Sequence, residues 1–259
     1  MAEIVAFYSY KGGVGRSLSL ANVAALLASQ GRRVACVDFD LEAGGLHTIF
    51  GLELNDIRYT LLDLLTMINP PDVRTAMSNL TGLLPHTADG GELWLLPTVS
   101  EAEKVLEVLD GSRDLSMLLG TIINQIIDQF NPHFVLVDSR SGFAELASAS
   151  ILKANSLVCV LRPNRQNADG LRILLDILDT IGERPMPFLV LSQVPDVSDA
   201  VPKINKLQEM LGGGRQFNAR IPYDPSLALE ENVVAITAPR SSLAHSYQPI
   251  VEWLQTRIV

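Results

Sequence analysis

The hydrophobic positions of this chain fall into two alternating patterns. Short, near-continuous apolar runs at residues 4–9, 33–39, 93–96, 133–137, 157–161 and 188–191 predict strands. Runs with little polar alternation suit strands covered by helices on both faces. Between them lie stretches with helical spacing, at 17–30, 57–68, 72–80, 115–130, 145–153, 167–180 and 243–257. The first carries Leu18, Ala21, Ala25 and Leu26 on one side and stops at Gly31. Asn69-Pro70-Pro71 stops the second. Such alternation predicts a doubly wound, mostly parallel sheet flanked by helices. Residues 196–199 read as a loop and 212–214 as a glycine turn. Neither divides the chain, so one domain is expected over 1–259.

Composition narrows this picture. A length of 259 residues, 47% hydrophobic and 19% charged, supports a large folded core and excludes a disordered chain. No apolar stretch reaches the ~18 residues of a membrane-spanning helix. The opening MAEIVAFYSY lacks a basic segment and reads as a strand, so a cytoplasmic location is expected. Helix 243–257 lacks the basic face of a membrane-surface helix, so stable membrane binding is not expected. A net charge of −9 weighs against nonspecific DNA binding. Arg162, Arg165 and Arg172, or Lys203, Lys206, Arg215 and Arg220, remain candidates for a local basic patch or for an ordinary solvated surface. Cys36 and Cys159 sit in apolar runs and read as buried free thiols. His47, His86, His133 and His245 have no metal-ligand spacing.

The strongest chemical signal is AFYSYKGGVGRSLSLANVA: a strand, a glycine-rich loop and a helix start. Glycines let backbone amides converge on phosphate oxygens, and a helix N-terminus adds donors and a favourable dipole. Gly12, Gly13, Val14, Gly15, Arg16, Ser17 and Leu18 are therefore candidate phosphate-binding positions, with the Ser17 hydroxyl placed for magnesium. Against the pattern G-x-x-x-x-G-K-[ST], Tyr10 stands at the first glycine and Arg16 at the lysine. Arg16 keeps a positive charge near the phosphates and is a candidate for stabilising developing charge, but a planar guanidinium is not equivalent to an ammonium, so binding should tolerate the change better than hydrolysis. Asp138 ends an apolar strand, where such a loop commonly has a magnesium-holding acid. Asp38 and Asp40 end the second strand on a common side.

With KGGVGRS, VDFDLEAGGL at 37–46, LWLLPT at 93–98, VLVDSRSG at 135–142, RPNRQNADG at 162–170 and IPYDPSLALEE at 221–231, the chain resembles the deviant Walker A ATPases of the MinD and ParA type. More narrowly, it resembles a subgroup with a P-loop arginine and a DSR[TS]G segment. The resemblance spans nearly the whole chain. It implies ATP and Mg2+ as ligands and a nucleotide-dependent homodimer that sandwiches two nucleotides, with an unidentified protein partner or cargo. It makes Lys11 the signature lysine that crosses to the facing subunit's phosphates, Asp40 the water-positioning acid and Asp38 a magnesium-sphere residue. Ser192-Gln193 and Pro222-Tyr223 fall where relatives contact the base, marking Gln193 and Pro222 as candidates. Relatives carry DxPxG where this chain has Asp138-Ser139-Arg140-Ser141-Gly142, and Arg140 is open to a phosphate, a subunit or a structural-acid partner. The readings left open are an ATPase switch, an ATP-dependent dimerising module with little hydrolysis, and a P-loop kinase.

Overall fold

The computed structural model describes residues 2–110, 114–181, 185–197, 200–228 and 232–258. Residues 198–199 of the expected loop and 229–231 of the IPYDPSLALEE segment lie outside them. The strands are β1 (Glu3–Tyr8), β2 (Arg33–Asp38), β3 (Ser78–Asn79), β4 (Glu92–Leu96), β5 (Phe134–Asp138), β6 (Ser156–Leu161), β7 (Met186–Val194) and β8 (Ala219–Pro222). They form one sheet in the order β3-β4-β2-β5-β1-β6-β7-β8. Every pairing among the described residues is parallel except β3 with β4.

Both sheet faces are covered, which is why the strands read as unbroken apolar runs. Val5, Phe7, Val34, Cys36, Phe134 and Leu136 pack into one core against α1 (Arg16–Ser29) and the C-terminal helices. Val37, Val135 and Val137 face a second core, and Ala6 and Tyr8 a third. Each fully buried aliphatic side chain contributes about 1.5–3 kcal/mol relative to exposure. Cys36 and Cys159 are free and buried, as expected. The α1 helix ends with Gly31 N–H donating to Ala28 and Arg32 N–H to Leu27, the paired bonds of a Schellman stop.

Several predicted elements differ. In place of a helix over 57–68 there is a 3-10 turn, Leu54–Asp56, then α-helix Leu61–Thr66. Thr60 and Asp63 form a reciprocal capping box, which starts the helix four residues late. The expected 72–80 helix is one turn, Val73–Ala76, capped by Asp72. The chain then extends to pair Ser78 and Asn79 with β4. The last helix is two, Ser242–His245 and Gln248–Gln255. Pro249, near the start of the second, has no amide to donate back to His245, so one continuous helix is broken there. Helices Leu46–Ile49, Ala102–Val108, Ala200–Leu211 and Val234–Thr237, and strand β8, were not anticipated. Helices Leu115–Phe130 and Glu145–Lys153 match their expected limits. Among the described residues, no helix is long and apolar enough to cross a membrane.

The topology places the site. After β5 the chain crosses over β1 to build β6, β7 and β8 on the other side. In an open parallel sheet, ligands sit beyond the carboxyl ends of strands at such a reversal.

Candidate nucleotide site

Parallel register brings the candidate acids together. Asp38 pairs with Asp138 across β2 and β5, and Asp138 pairs with Phe7 across β5 and β1. The strand ends therefore converge on the loop between β1 and α1. That loop closes at Gly15, whose φ of 85° is left-handed. A Cβ there would lie 3.1 Å from the Ser192 hydroxyl, so glycine meets both a conformational and a spatial demand. The segment after β5 is fastened alongside, with Gly142 N–H donating to the Ser9 carbonyl at 3.0 Å.

Above the loop opens a cavity of about 690 Å³. Of the predicted phosphate-loop positions, Gly12, Gly13, Gly15, Arg16, Ser17 and Leu18 line it. Val14 is buried in the core behind, 2% exposed. Asp40, Gln193 and Pro222 also line the cavity. Gln193, itself at a φ of 56°, donates its side-chain amide to the Gly13 carbonyl at 3.2 Å. Lys11 is exposed beside the loop, its Nζ 5.6 Å from the centroid of the Tyr10 ring. Asp38 and Asp138 are fully buried at the strand ends and are not among the lining residues.

The centre of the site is an ion cluster. Arg16 Nε donates to Asp138 Oδ1 at 2.6 Å, and its terminal nitrogen donates to Asp40 Oδ2 at 2.9 Å and to Ser17 Oγ at 3.3 Å. The Ser17 hydroxyl also helps to hold the Asp138 pKa down. Arg16 is 8% exposed. Burial works to lower its pKa, but Asp138 and then Asp40 outweigh it and hold the guanidinium more firmly charged than usual. Burial raises Asp138, with Arg16 pulling the other way. Asp38 is pushed up to about 8, first by burial and then by the Asp138 charge, against a backbone bond from Leu46. Its Oδ2 accepts from Gly45 N and Leu46 N, both at 3.0 Å, while its buried Oδ1 has no partner.

The sequence had given no role to Glu42, although it lies in a quoted segment. It pairs with Arg140, joining the loops after β2 and β5 at the cavity mouth. Of the partners left open for Arg140, the acid is the one seen. Ser9, also unassigned, lines the cavity with a buried hydroxyl that has no partner. His47 lies in the one-turn helix after the Asp38 loop, and burial lowers its pKa.

These residues fit a nucleotide with magnesium. Ser17, Asp138 and Asp38 supply hard oxygen donors, and the Asp38 Oδ1 and Ser9 Oγ atoms are unsatisfied. Among the described residues no three acidic, histidine or cysteine groups form a ready-made cage. Magnesium does not need one, since it binds through one or two carboxylates with phosphate oxygens and retained waters.

The raised Asp38 pKa makes a prediction. Between its unfolded value of about 3.9 and its folded value of about 8, the folded chain binds more protons, so this group's contribution to stability falls as pH rises. Asp38→Asn keeps an acceptor for Gly45 and Leu46 and removes the buried charge. The variant should melt above the wild type near pH 9, the two converging towards about pH 4. A difference in melting temperature that stays flat across that range would refute the buried-charge account.

Comparison with known proteins agrees with this geometry. The family described as AAA domain matches residues 2–190. The septum site-determining protein MinD of Helicobacter pylori is 29% identical over 184 residues, 71% of this chain and 62% of that protein. The matched stretch thus spans less than two thirds of that relative's length. MinD from Pyrococcus horikoshii, solved complexed with Mg-ADP, superposes with a TM-score of 0.77 at 21% identity, covering 99% of this chain and 97% of the other. A ParA family ATPase from Chlorobium tepidum gives 0.74 at 21% identity, over 98% and 99% of the two chains. With a phosphate loop at the head of an eight-stranded, mostly parallel sheet and a family match over most of its length, the chain belongs to the MinD/ParA-type P-loop ATPases.

Proposed function

We propose that the chain is a magnesium-dependent ATP-binding and ATP-hydrolysing switch that forms a nucleotide-sandwich homodimer. The observation that carries this reading is the cavity itself, lined by Gly12, Gly13, Gly15, Arg16, Ser17 and Leu18 and by Asp40, Gln193 and Pro222. Gly12, Gly13, Gly15 and the first turn of α1 present amides to phosphates, and Gln193 and Pro222 flank the base. Ser17, Asp138 and Asp38 hold magnesium, which when bound neutralises phosphate charge. Asp40, at the cavity wall, orients the attacking water. Lys11 extends from its own loop towards a facing subunit. One domain over 1–259, a cytoplasmic location and an unidentified protein cargo complete the reading.

One observation favours a second reading, an ATP-dependent dimerising module with little hydrolysis. The Asp40 carboxylate assigned to water is bound by Arg16 at 2.9 Å. A carboxylate held by a guanidinium is a poorer acceptor for water. Phosphate release measured against occupancy separates the two readings.

The binding step is tested at Ser17. Ser17→Ala removes a magnesium ligand and leaves the loop backbone in place. Its affinity for ATP in excess magnesium should fall about tenfold to a hundredfold, and its affinity in chelator should be little changed. Calorimetry in both conditions decides this. Equal affinities for variant and wild type in magnesium would remove Ser17 from the metal site.

A further inference from the structure

Arg16 occupies an unexpected place. As the residue at the lysine position of a phosphate loop it should point at phosphates, yet its guanidinium lies among the acids. It contacts Asp138, Asp40 and Ser17 at 2.6, 2.9 and 3.3 Å, and two of these are the groups assigned to magnesium. The guanidinium has donors only, arranged in a rigid fork. That fork spans carboxylates 122 and 24 residues away in the chain, which a single ammonium on a flexible stem does less well.

We propose that Arg16 is a latch on the magnesium position: without nucleotide its guanidinium holds the cation's place among Asp138, Asp40 and Ser17, and Mg-nucleotide loads by driving it off these oxygens towards the cavity. This rests on the nucleotide reading above. The charges argue for exclusive occupancy. A divalent ion at Ser17 and Asp138 would stand against a guanidinium in a buried pocket, where like charges repel far more strongly than in water. Left bare, the buried acids would have to take up protons, and the guanidinium spares them that by pairing with Asp138 and Asp40. One cation therefore replaces the other. The side chain has an exit, since Arg16 lines the cavity in which phosphates would offer it new acceptors. The latch makes Arg16 a metal-sensing residue as well as a phosphate ligand, and it explains why an arginine can serve where a lysine is usual.

The test reads the arginine directly. In proton–nitrogen spectra of the full chain, the Arg16 Nε–H signal is assigned by its loss in Arg16→Lys. Without ligand it should lie downfield and exchange slowly with water, as a buried bond to a carboxylate requires. It should persist with ADP in chelator, and it should collapse or move upfield when magnesium is added. In parallel calorimetry, Arg16→Lys should reach half-saturation of ADP binding at a magnesium concentration about tenfold lower than the wild type, because less must be displaced. An unchanged signal at confirmed Mg-ADP occupancy would overturn the latch and leave the nucleotide function standing. Loss of the signal with ADP alone would overturn the metal's part in it. No calorimetric binding of ADP or ATP under any condition would overturn the nucleotide reading and the latch together.

Discussion

Asp138→Ala is expected to destabilise the fold by about 3–5 kcal/mol, the usual cost of removing one member of a buried ion pair. Asp138 is 1% exposed at the end of central strand β5, and it accepts the 2.6 Å bond from Arg16 Nε. Its truncation leaves a guanidinium that is 8% exposed with only Asp40 to neutralise it. The penalty arises from that uncompensated charge more than from the lost contact, which a second variant makes visible. Arg16→Met combined with Asp138→Ala removes both charges and should recover more than half of the loss, so the two changes are strongly non-additive. Urea unfolding followed by circular dichroism gives the free energies. A loss below about 1 kcal/mol for Asp138→Ala would mean that the pair is solvated and worth no more than a surface bridge. Additive losses in the double variant would mean that the residues act independently.

The legible part of this molecule was the part carried by local patterns. β1, the loop and α1 could be read because apolar run, glycines, hydroxyl and helical spacing follow one another within residues 4–30. Helix Leu115–Phe130 was equally plain, with an Asp114 cap at one end and Asn131 in the left-handed conformation at the other. Helix Ala200–Leu211 escaped notice although Ile204, Leu207 and Leu211 have the right spacing, since Val201-Pro202 opens it and three of its residues are cationic or acidic. β8 is four residues long, with only Ala219 and Ile221 buried, too short for alternation to register. The acids Asp38, Asp40 and Asp138 could be nominated from their strand ends, but the pairing of Arg16 with two of them could not. That pairing depends on β1, β5 and β2 lying side by side, a property of strand order and not of any local motif. The same holds for Glu42 and Arg140, 98 residues apart.

Lys11→Ala should cut ATP turnover by about 10²–10³ while leaving nucleotide binding to the monomer within a few fold, the range seen when one charge-stabilising donor is lost. The ion cluster sharpens this expectation. Arg16 is paired with buried acids here and would reach a developing phosphate charge only once loading releases it. Lys11 is available: it is exposed, lies near the Tyr10 ring, and has no carboxylate partner among the described residues. Its removal therefore carries almost no cost to the fold, which separates this variant from Asp138→Ala. A side chain that leaves its own loop meets phosphates most readily in a facing subunit, and closing that interface excludes water and strengthens every charge contact inside it. Nucleotide binding and association are then linked, each favouring the other. Light scattering over a concentration series should find a dimer with magnesium and a nonhydrolysable ATP analogue, a monomer with ADP, and a monomer in both conditions for Lys11→Ala. If the wild type stays monomeric with the analogue demonstrably bound, the sandwich fails. If Lys11→Ala dimerises and turns over as the wild type does, Lys11 is a surface residue, and the charge on the departing phosphate must be met by Arg16 released from its acids.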